Sequence, residues 1–243
     1  MPERLDKLLC SQGEWTRTQA GRMIRAGLVC VDGTPCRRPE TKIDPDAVQI
    51  TVQDKPLEYR RFVYYMLHKP AGILCVSRDP NRPTVVDLLP PALRRRDLFP
   101  AGRLDRDTVG LCILTNDGNY AHRLLAPRSG IQKRYEARLD GPVTPAVVQA
   151  FAAGITLADG TKCLPAALEI IEDTATPLLS VTIMEGKYHQ IKRMFGTVGL
   201  GVDGLKRCSI GGLVLDPALR EGESRPLTEA EIALTLQNGA VFL

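Results

Sequence analysis

No stretch of this 243-residue sequence approaches the run of about 18 apolar residues that a membrane-spanning helix needs, so no span is expected. The start, Met1-Pro2-Glu3-Arg4-Leu5-Asp6, carries acids and lacks the apolar stretch of a secretory signal. A cytoplasmic location is the expectation. Seven cysteines, at 10, 30, 36, 75, 112, 163 and 208, include no C-x-x-C pair. An odd count without that spacing argues against both a disulfide framework and a structural zinc site. His68, His122 and His189 form no H-x-x-x-H or H-E-x-x-H unit, and no metal is expected.

What is present is ordinary for a folded chain: 44% hydrophobic and 25% charged residues, with 32 Lys+Arg against 28 Asp+Glu. Collagen-like, coiled-coil and wholly disordered classes are excluded. The length suits one large domain, or a small domain attached to a larger one. The slight positive charge is gathered at Arg94-Arg95-Arg96, Lys133-Arg134, Lys192-Arg193 and Lys206-Arg207. Such clusters can follow a phosphate backbone; each taken alone reads more simply as solvated surface.

Residues 1–53 read as a small unit of two helices followed by a sheet. Leu5, Leu8 and Leu9 have helical spacing, as do Ala20, Met23 and Ile24, with Gly27 ending that helix. Residues 28–31 suit a strand, Asp32-Gly33 signals a hairpin, and residues 47–52 suit a further strand. Residues 54–61 read as a linker. Basic residues outnumber acids in the small unit, and Arg22 and Arg25 share a helix face. That face suits structured RNA, where phosphate and shape contacts dominate; a plain solvated face fits equally well. The strings Arg4-Leu5-Asp6, Thr18-x-Ala20 and Ile24-x-x-Gly27-x-Val29-x-Val31-Asp32-Gly33 resemble an S4-type RNA-binding module. The resemblance implies RNA contacts at Arg4, Lys7, Arg17, Arg22, Arg25 and Arg37. Thr18-Gln19 departs from the Ser-Arg common in such modules and removes one charge.

In residues 62–243, strands are expected over 62–67, 72–77, 111–114, 134–139, 167–171 and 178–184, and helices over 85–89, 119–125, 144–154 and 189–198. Thr228-Glu229-Ala230-Glu231 is a capping box opening a last helix. Strands dominate without alternating strictly with helices, so the fold class is α+β around a mainly antiparallel sheet. Gly199-Leu200-Gly201-Val202-Asp203-Gly204 matches the dinucleotide fingerprint. That motif needs a strand before it and a helix after it; here the order is reversed, and the segment reads as a loop.

The informative segment is Gly102-Arg103-Leu104-Asp105-Arg106-Asp107-Thr108-Val109-Gly110-Leu111. A carboxylate at the mouth of a polar turn beside arginines can act as nucleophile or base, although an Asp-rich turn also arises for local hydrogen bonding alone. With it stand Leu67-His68-Lys69-Pro70-x-Gly72, Lys133-Arg134-Tyr135 and Gly186-Lys187-Tyr188-His189-Gln190-Ile191-Lys192-Arg193-Met194-Phe195. Together these resemble the pseudouridine synthases, in the bacterial ribosomal branch with an N-terminal S4-like module. Asp79-Pro80-x-x-Pro83-Thr84-Val85, Pro100-Ala101-Gly102-Arg103 and Glu185-Gly186-Lys187-Tyr188-His189-Gln190 look most like members acting on 16S rRNA; members acting on 23S rRNA share much of this. Lys206-Arg207-Cys208-Ser209-Ile210-Gly211 departs where relatives tend to keep a second arginine near Ser209.

The resemblance implies isomerisation of a uridine in rRNA to pseudouridine, without a cofactor, on a base flipped out of its stack. Asp105 matches the catalytic aspartate and Tyr135 the active-site tyrosine. Lys192 matches the aspartate's basic partner, where many members carry arginine, with Arg193 as fallback. Whether the aspartate attacks sugar or base, or removes the C2′ proton, stays open. Arg103 is a candidate for holding the flipped nucleotide's phosphate or filling its vacated place. His189 and Gln190 are candidates for contacts to the base edge or for capping a helix, and Lys69 and Lys133 complete the candidate substrate-binding set. The implied partner is rRNA, 16S or a small-subunit assembly particle, bound by a monomer. Two competing classes are a non-catalytic assembly factor and a hydrolytic N-glycosidase. The second needs paired carboxylates, and Asp105 and Asp107, two apart on a turn, are expected to point in different directions.

Overall fold

The described residues, 2–238 of a computed structural model, divide into two units. One runs to Phe62 and takes in Leu89–Leu98; the other comprises Val63–Leu88 and the chain from Phe99 onward.

In the first unit, β1 (Glu3–Arg4) leads into α1 (Leu5–Ser11), followed by α2 (Arg17–Arg25). Leu5, Leu8 and Leu9 of α1 and Ala20 and Ile24 of α2 are fully buried, the faces that their spacing dictates. A capping box opens α2: the Gln19 N–H donates to Thr16 Oγ1 at 3.2 Å and the Thr16 N–H to Gln19 Oε1 at 2.8 Å. Such a cap contributes about 1 kcal/mol, so Gln19 has a structural task that an arginine would not perform. The strands β2 (Val29–Val31), β3 (Thr34–Pro35), β4 (Lys42–Ile43), β5 (Ile50–Val52) and β6 (Lys55–Pro56) follow. Four form a sheet in the order β3-β2-β5-β6, while β4 pairs with β1. Asp32 and Gly33 both have positive φ, 48° and 75°, as a type I′ hairpin turn requires.

Residues 54–61, expected as a linker, belong to this unit. β6 pairs with β5, the Leu57 N–H donates to the Ile50 carbonyl at 2.9 Å, and Leu57 and Tyr59 pack against the core. The polar composition concealed a hairpin whose turn, Gln53-Asp54, uses two non-glycine residues at positive φ. The Arg94-Arg95-Arg96 cluster also differs from a row of phosphate contacts. Arg95 is buried and donates to the Arg60 carbonyl at 2.6 Å and to Gln12 Oε1 at 3.0 Å. It clips the segment Leu89–Leu98 onto its unit.

The second unit is built on one sheet. Its strands are β7 (Tyr64–Lys69), β8 (Phe99–Pro100), β9 (Val109–Thr115), β10 (Lys133–Leu139), β11 (Ala167–Glu172), β12 (Leu178–Ile183), β13 (Val202–Ile210), β14 (Leu213–Val214) and β15 (Ser224–Pro226). The order is β11-β12-β10-β13-β9-β7-β15, with β14 beside β13 and β8 beside β9. Only the β13–β9 pair is parallel, so the sheet is mainly antiparallel, as expected. The helices are α3 (Gly118–Leu125), α4 (Pro145–Ala153), α5 (Gln190–Thr197) and α6 (Glu229–Thr235). The Thr228–Glu231 capping box opens α6. Gly110 allows the parallel pair: it has φ +104°, and a Cβ there would lie 2.3 Å from the Arg207 carbonyl oxygen.

Two expected elements are absent. Residues 72–77 make one isolated bridge, Leu74 to Thr84, because their backbone is taken up by loops: the Gly72 N–H donates to the Arg106 carbonyl at 2.8 Å and the Val85 N–H to that of Leu74 at 2.9 Å. Residues 85–89 form turns, not a helix. Asp87 Oδ2 accepts from both the N–H and the hydroxyl of Thr84 at 2.8 Å, and Pro90-Pro91 prevents helical continuation. The glycine-rich segment at 199–204 runs from the end of α5 into β13, the loop-then-strand order anticipated.

Candidate active site

Asp105 lies in the loop between β8 and β9, and that loop is fixed from below by Lys69. The ammonium of Lys69 is fully buried and donates to the carbonyls of Pro70, Arg106 and Thr108 at 2.9, 3.0 and 2.9 Å. Its three N–H bonds are thereby used. Burial pushes its pKa down, opposed by the nearby thiols of Cys75 and Cys112 and the carboxylates of Asp107 and Asp105. Lys69 is therefore an anchor of the aspartate loop and not a substrate contact. Arg106 adds a second tie, its Nε donating to the Gly72 carbonyl at 3.1 Å.

The N-terminal end of α5 faces this loop. His189 precedes the helix in a left-handed conformation, φ 47°, and its Nε2 lies 3.5 Å from Asp105 Oδ1. Lys192 Nζ lies 3.7 Å from Asp105 Oδ2 and donates to Asp107 Oδ1 and Oδ2 at 2.6 and 2.7 Å. The Asp105 carboxylate thus meets an ammonium, an imidazole and the positive end of a helix dipole. The Asp107 carboxyl is held below its ordinary range by the Lys192 hydrogen bond.

Tyr135 enters from β10, opposite Val181 of β12 and Arg207 of β13, and is 8% exposed. With Asp105, Arg103, His189, Ile183 and Leu205 it lines an open cleft. Arg103 stands exposed at its rim.

Several expected residues have other tasks. Gln190 lines the cleft, yet its amide is used inside the preceding loop. Nε2 donates to Glu185 Oε1 at 2.8 Å, and Oε1 accepts from the Lys187 N–H at 2.9 Å. Lys133 is 6% exposed and donates to the Ile131 carbonyl at 2.9 Å; burial, with the neighbouring Arg207 guanidinium, lowers its pKa to about 8. It is not among the residues that line the cleft. Arg193 turns away to pair with Asp159, leaving Lys192 as the cation at Asp105. Arg207 is 4% exposed and donates to the Leu111 carbonyl at 2.7 Å, a buried position that a phosphate does not reach. The sequence hid the Asp107–Lys192 pair: one ammonium stands 3.7 Å from Asp105 Oδ2 and 2.6 Å from Asp107 Oδ1. A glycosidase acid must stay protonated, whereas Asp107 is pushed toward ionisation, so the pair does not suit that chemistry.

In the first unit the expected RNA-binding residues lie in two groups. Arg4 donates to Asp6 through Nε and Nη2 at 3.0 and 2.8 Å, and Arg17 Nε reaches the same carboxylate at 3.3 Å. Arg22 and Arg25 are exposed in the last turn of α2, and Arg37 Nη1 lies 3.5 Å from the Arg25 carbonyl. Lys7 is exposed on α1.

The sequence pattern of RNA pseudouridylate synthases matches residues 63–197, which hold every residue of the cleft lining except Leu205. The chain belongs to that family. An S4 domain matches residues 3–48, so this pseudouridine synthase carries an RNA-binding module ahead of its catalytic unit. An uncharacterized RNA pseudouridine synthase of Bacillus subtilis is 44% identical, over 95% of this chain and 97% of the relative. The ribosomal small subunit pseudouridine synthase A of Escherichia coli is 43% identical, over 95% and 98%. A crystal structure of a pseudouridylate synthase aligns with a TM-score of 0.66 at 38% identity, covering 96% of this chain and 99% of that one. Among the described residues of this pseudouridine synthase, no group of His, Cys, Asp and Glu is arranged to hold a metal. No helix there is long and apolar enough to cross a membrane.

Proposed function

We propose that this pseudouridine synthase isomerises one uridine of small-subunit rRNA, with Asp105 as the group that attacks or deprotonates the substrate. The observation that carries the reading is the Asp105 carboxylate at the cleft wall, 3.5 Å from His189 Nε2 and 3.7 Å from Lys192 Nζ, in a pocket shared with Tyr135. The small-subunit assignment is supported by relatives that carry that name at close to full coverage.

The target base leaves its stack at a cost of a few kcal/mol and enters the cleft. Its N1–C1′ bond breaks, the uracil turns, C5 bonds to C1′, and the C5 proton is released to water while N1 takes up a proton. Tyr135 packs on the uracil; Arg103, at the rim, takes the phosphate of the flipped nucleotide or the space it vacates. Lys192 orients Asp105 as a point charge and leaves the carboxylate free of a bidentate clamp. The S4 unit supplies sequence-independent affinity through Arg22, Arg25, Arg37 and Lys7.

The test uses rRNA tritiated at uracil C5, offered as free 16S, free 23S and partly assembled small subunits. Tritium is expected in water from one 16S-containing substrate, and none from Asp105→Asn. Release from 23S alone would reassign the substrate. RNA binding without release from any of the three would favour a non-catalytic assembly factor.

A further inference from the structure

We propose that the Tyr188 ring is a stacking platform for a nucleobase next to the target uridine. The inference deepens the functional reading above and rests on it. Among the exposed large hydrophobic side chains of the described residues Tyr188 is the most open, at 72%. One face is occupied: the ring stacks on His189 with centroids 3.8 Å apart and planes at 17°. His189 in turn lines the cleft and faces Asp105. The other face of the tyrosine is open to solvent, with the His189 ring between the tyrosine and the Asp105 carboxylate.

The platform is preorganised. Its loop is braced by Glu185, whose Oε1 accepts from the Leu164 N–H at 2.9 Å and from Gln190 Nε2 at 2.8 Å. Lys187 Nζ donates to the Lys162 carbonyl and to Glu185 Oε2, both at 2.6 Å. Arg193 Nη1 reaches the Tyr188 carbonyl at 3.4 Å. His189 sits in the left-handed region, φ 47°, which is uncommon for residues other than glycine. A rigid aromatic loses little entropy when a base stacks on it, and every nucleobase offers a π face. Flipping a uridine leaves its neighbour without a stacking partner at this edge of the cleft, and the free Tyr188 face offers a replacement. The ring therefore contributes to RNA binding and to selection of a substrate whose neighbouring base can swing onto it.

The test compares Tyr188→Ala and Tyr188→Phe with the unmodified chain on C5-tritiated small-subunit rRNA. Tyr188→Ala is expected to raise the half-saturating RNA concentration about tenfold or more with the saturating rate nearly unchanged, and Tyr188→Phe to restore it. A second readout uses Trp15→Phe combined with Tyr188→Trp, since Trp15 is the sole tryptophan. Emission of the new indole should be quenched when the same RNA binds. An unchanged half-saturation in Tyr188→Ala overturns the proposal, as does a loss confined to the saturating rate, which would mean that the ring only buttresses His189. Emission that RNA leaves unmoved overturns it too. Absence of tritium release from the unmodified chain instead sinks the isomerase reading, while the indole emission still reports on stacking.

Discussion

Lys192 Nζ stands 3.7 Å from Asp105 Oδ2 but 2.6 Å from Asp107 Oδ1, so the cation beside the candidate catalytic carboxylate is held chiefly by its neighbour. Asp107 is 73% exposed, and so open an ion pair contributes little to stability. Its effect is on where the ammonium sits. Lys192→Met should lower the saturating rate of tritium release by up to about 100-fold, the cost of a misplaced reacting group, with half-saturation little changed. Asp107→Ala should stay within a few-fold of the unmodified chain. Equal losses in the two variants would mean that the ammonium serves Asp105 only where Asp107 holds it.

Lys69→Met should destabilise the second unit by about 2–4 kcal/mol, because it takes the Lys69 donor from the Pro70 carbonyl and the buried Thr108 carbonyl and leaves that of Arg106 with only the Gly72 N–H. The saturating rate should fall as well, since Asp105 sits in the loop those bonds fix. Urea unfolding combined with tritium release checks both. A rate loss without a stability loss would return Lys69 to the role of substrate contact.

Lys133 has a folded pKa of about 8 against an ordinary 10.5, owing first to burial. For a cation with a depressed pKa, the unfolded chain binds more protons between these values, so its contribution makes stability rise with pH from about 8 to 10.5. At pH 7 the buried charge costs on the order of 2–3 kcal/mol. Lys133→Met loses the hydrogen bond to the Ile131 carbonyl but also the cost of the buried charge, so its stability relative to the unmodified chain should be highest at pH 7 and fall as pH rises through 8 toward 10. Urea midpoints of the two proteins across that range decide it; a difference independent of pH would mean that the amine carries no penalty.

Gly110→Ala should cost more than about 3 kcal/mol, because φ is +104° and the added Cβ would lie 2.3 Å from the Arg207 carbonyl oxygen. Gly118→Ala makes the contrast: it lies in α3 with nothing within 4 Å of the added carbon, and should gain about 0.5–1 kcal/mol. Thermal unfolding of both variants gives the answer.

In the S4 unit, Arg22→Ala, Arg25→Ala and Arg37→Ala should each weaken RNA binding and reduce the salt slope of affinity by about 1, the signature of one lost phosphate contact. Arg4→Ala should act mainly on stability, since its guanidinium holds the buried Asp6 carboxyl below the ordinary range. Filter binding at several salt concentrations, beside urea unfolding, separates the two groups. Equal salt slopes for all four variants would contradict that division.

The sequence by itself determined the family, the helix faces and the sheet class. Each rests on near-neighbour information: a compact string such as Gly102–Leu111, the three- and four-residue spacing of Leu5, Leu8 and Leu9, or the Asp32-Gly33 turn. Only the tertiary structure decided which of several identical cations does what. Lys69, Lys133 and Lys192 are the same residue type in three neighbouring motifs. One saturates three carbonyls, one is buried at a neutralising cost, and one bridges two carboxylates. The role of an ammonium depends on which acceptors surround it and how much water it has lost, and those acceptors come from segments distant in sequence, Asp107 to Lys192 and Thr108 to Lys69. The same holds for residues 54–61 and for Arg95, whose polar letters suggested exposure. Pairing with β5 and with the Arg60 carbonyl supplies the hydrogen bonds that allow a polar segment to be built into a fold.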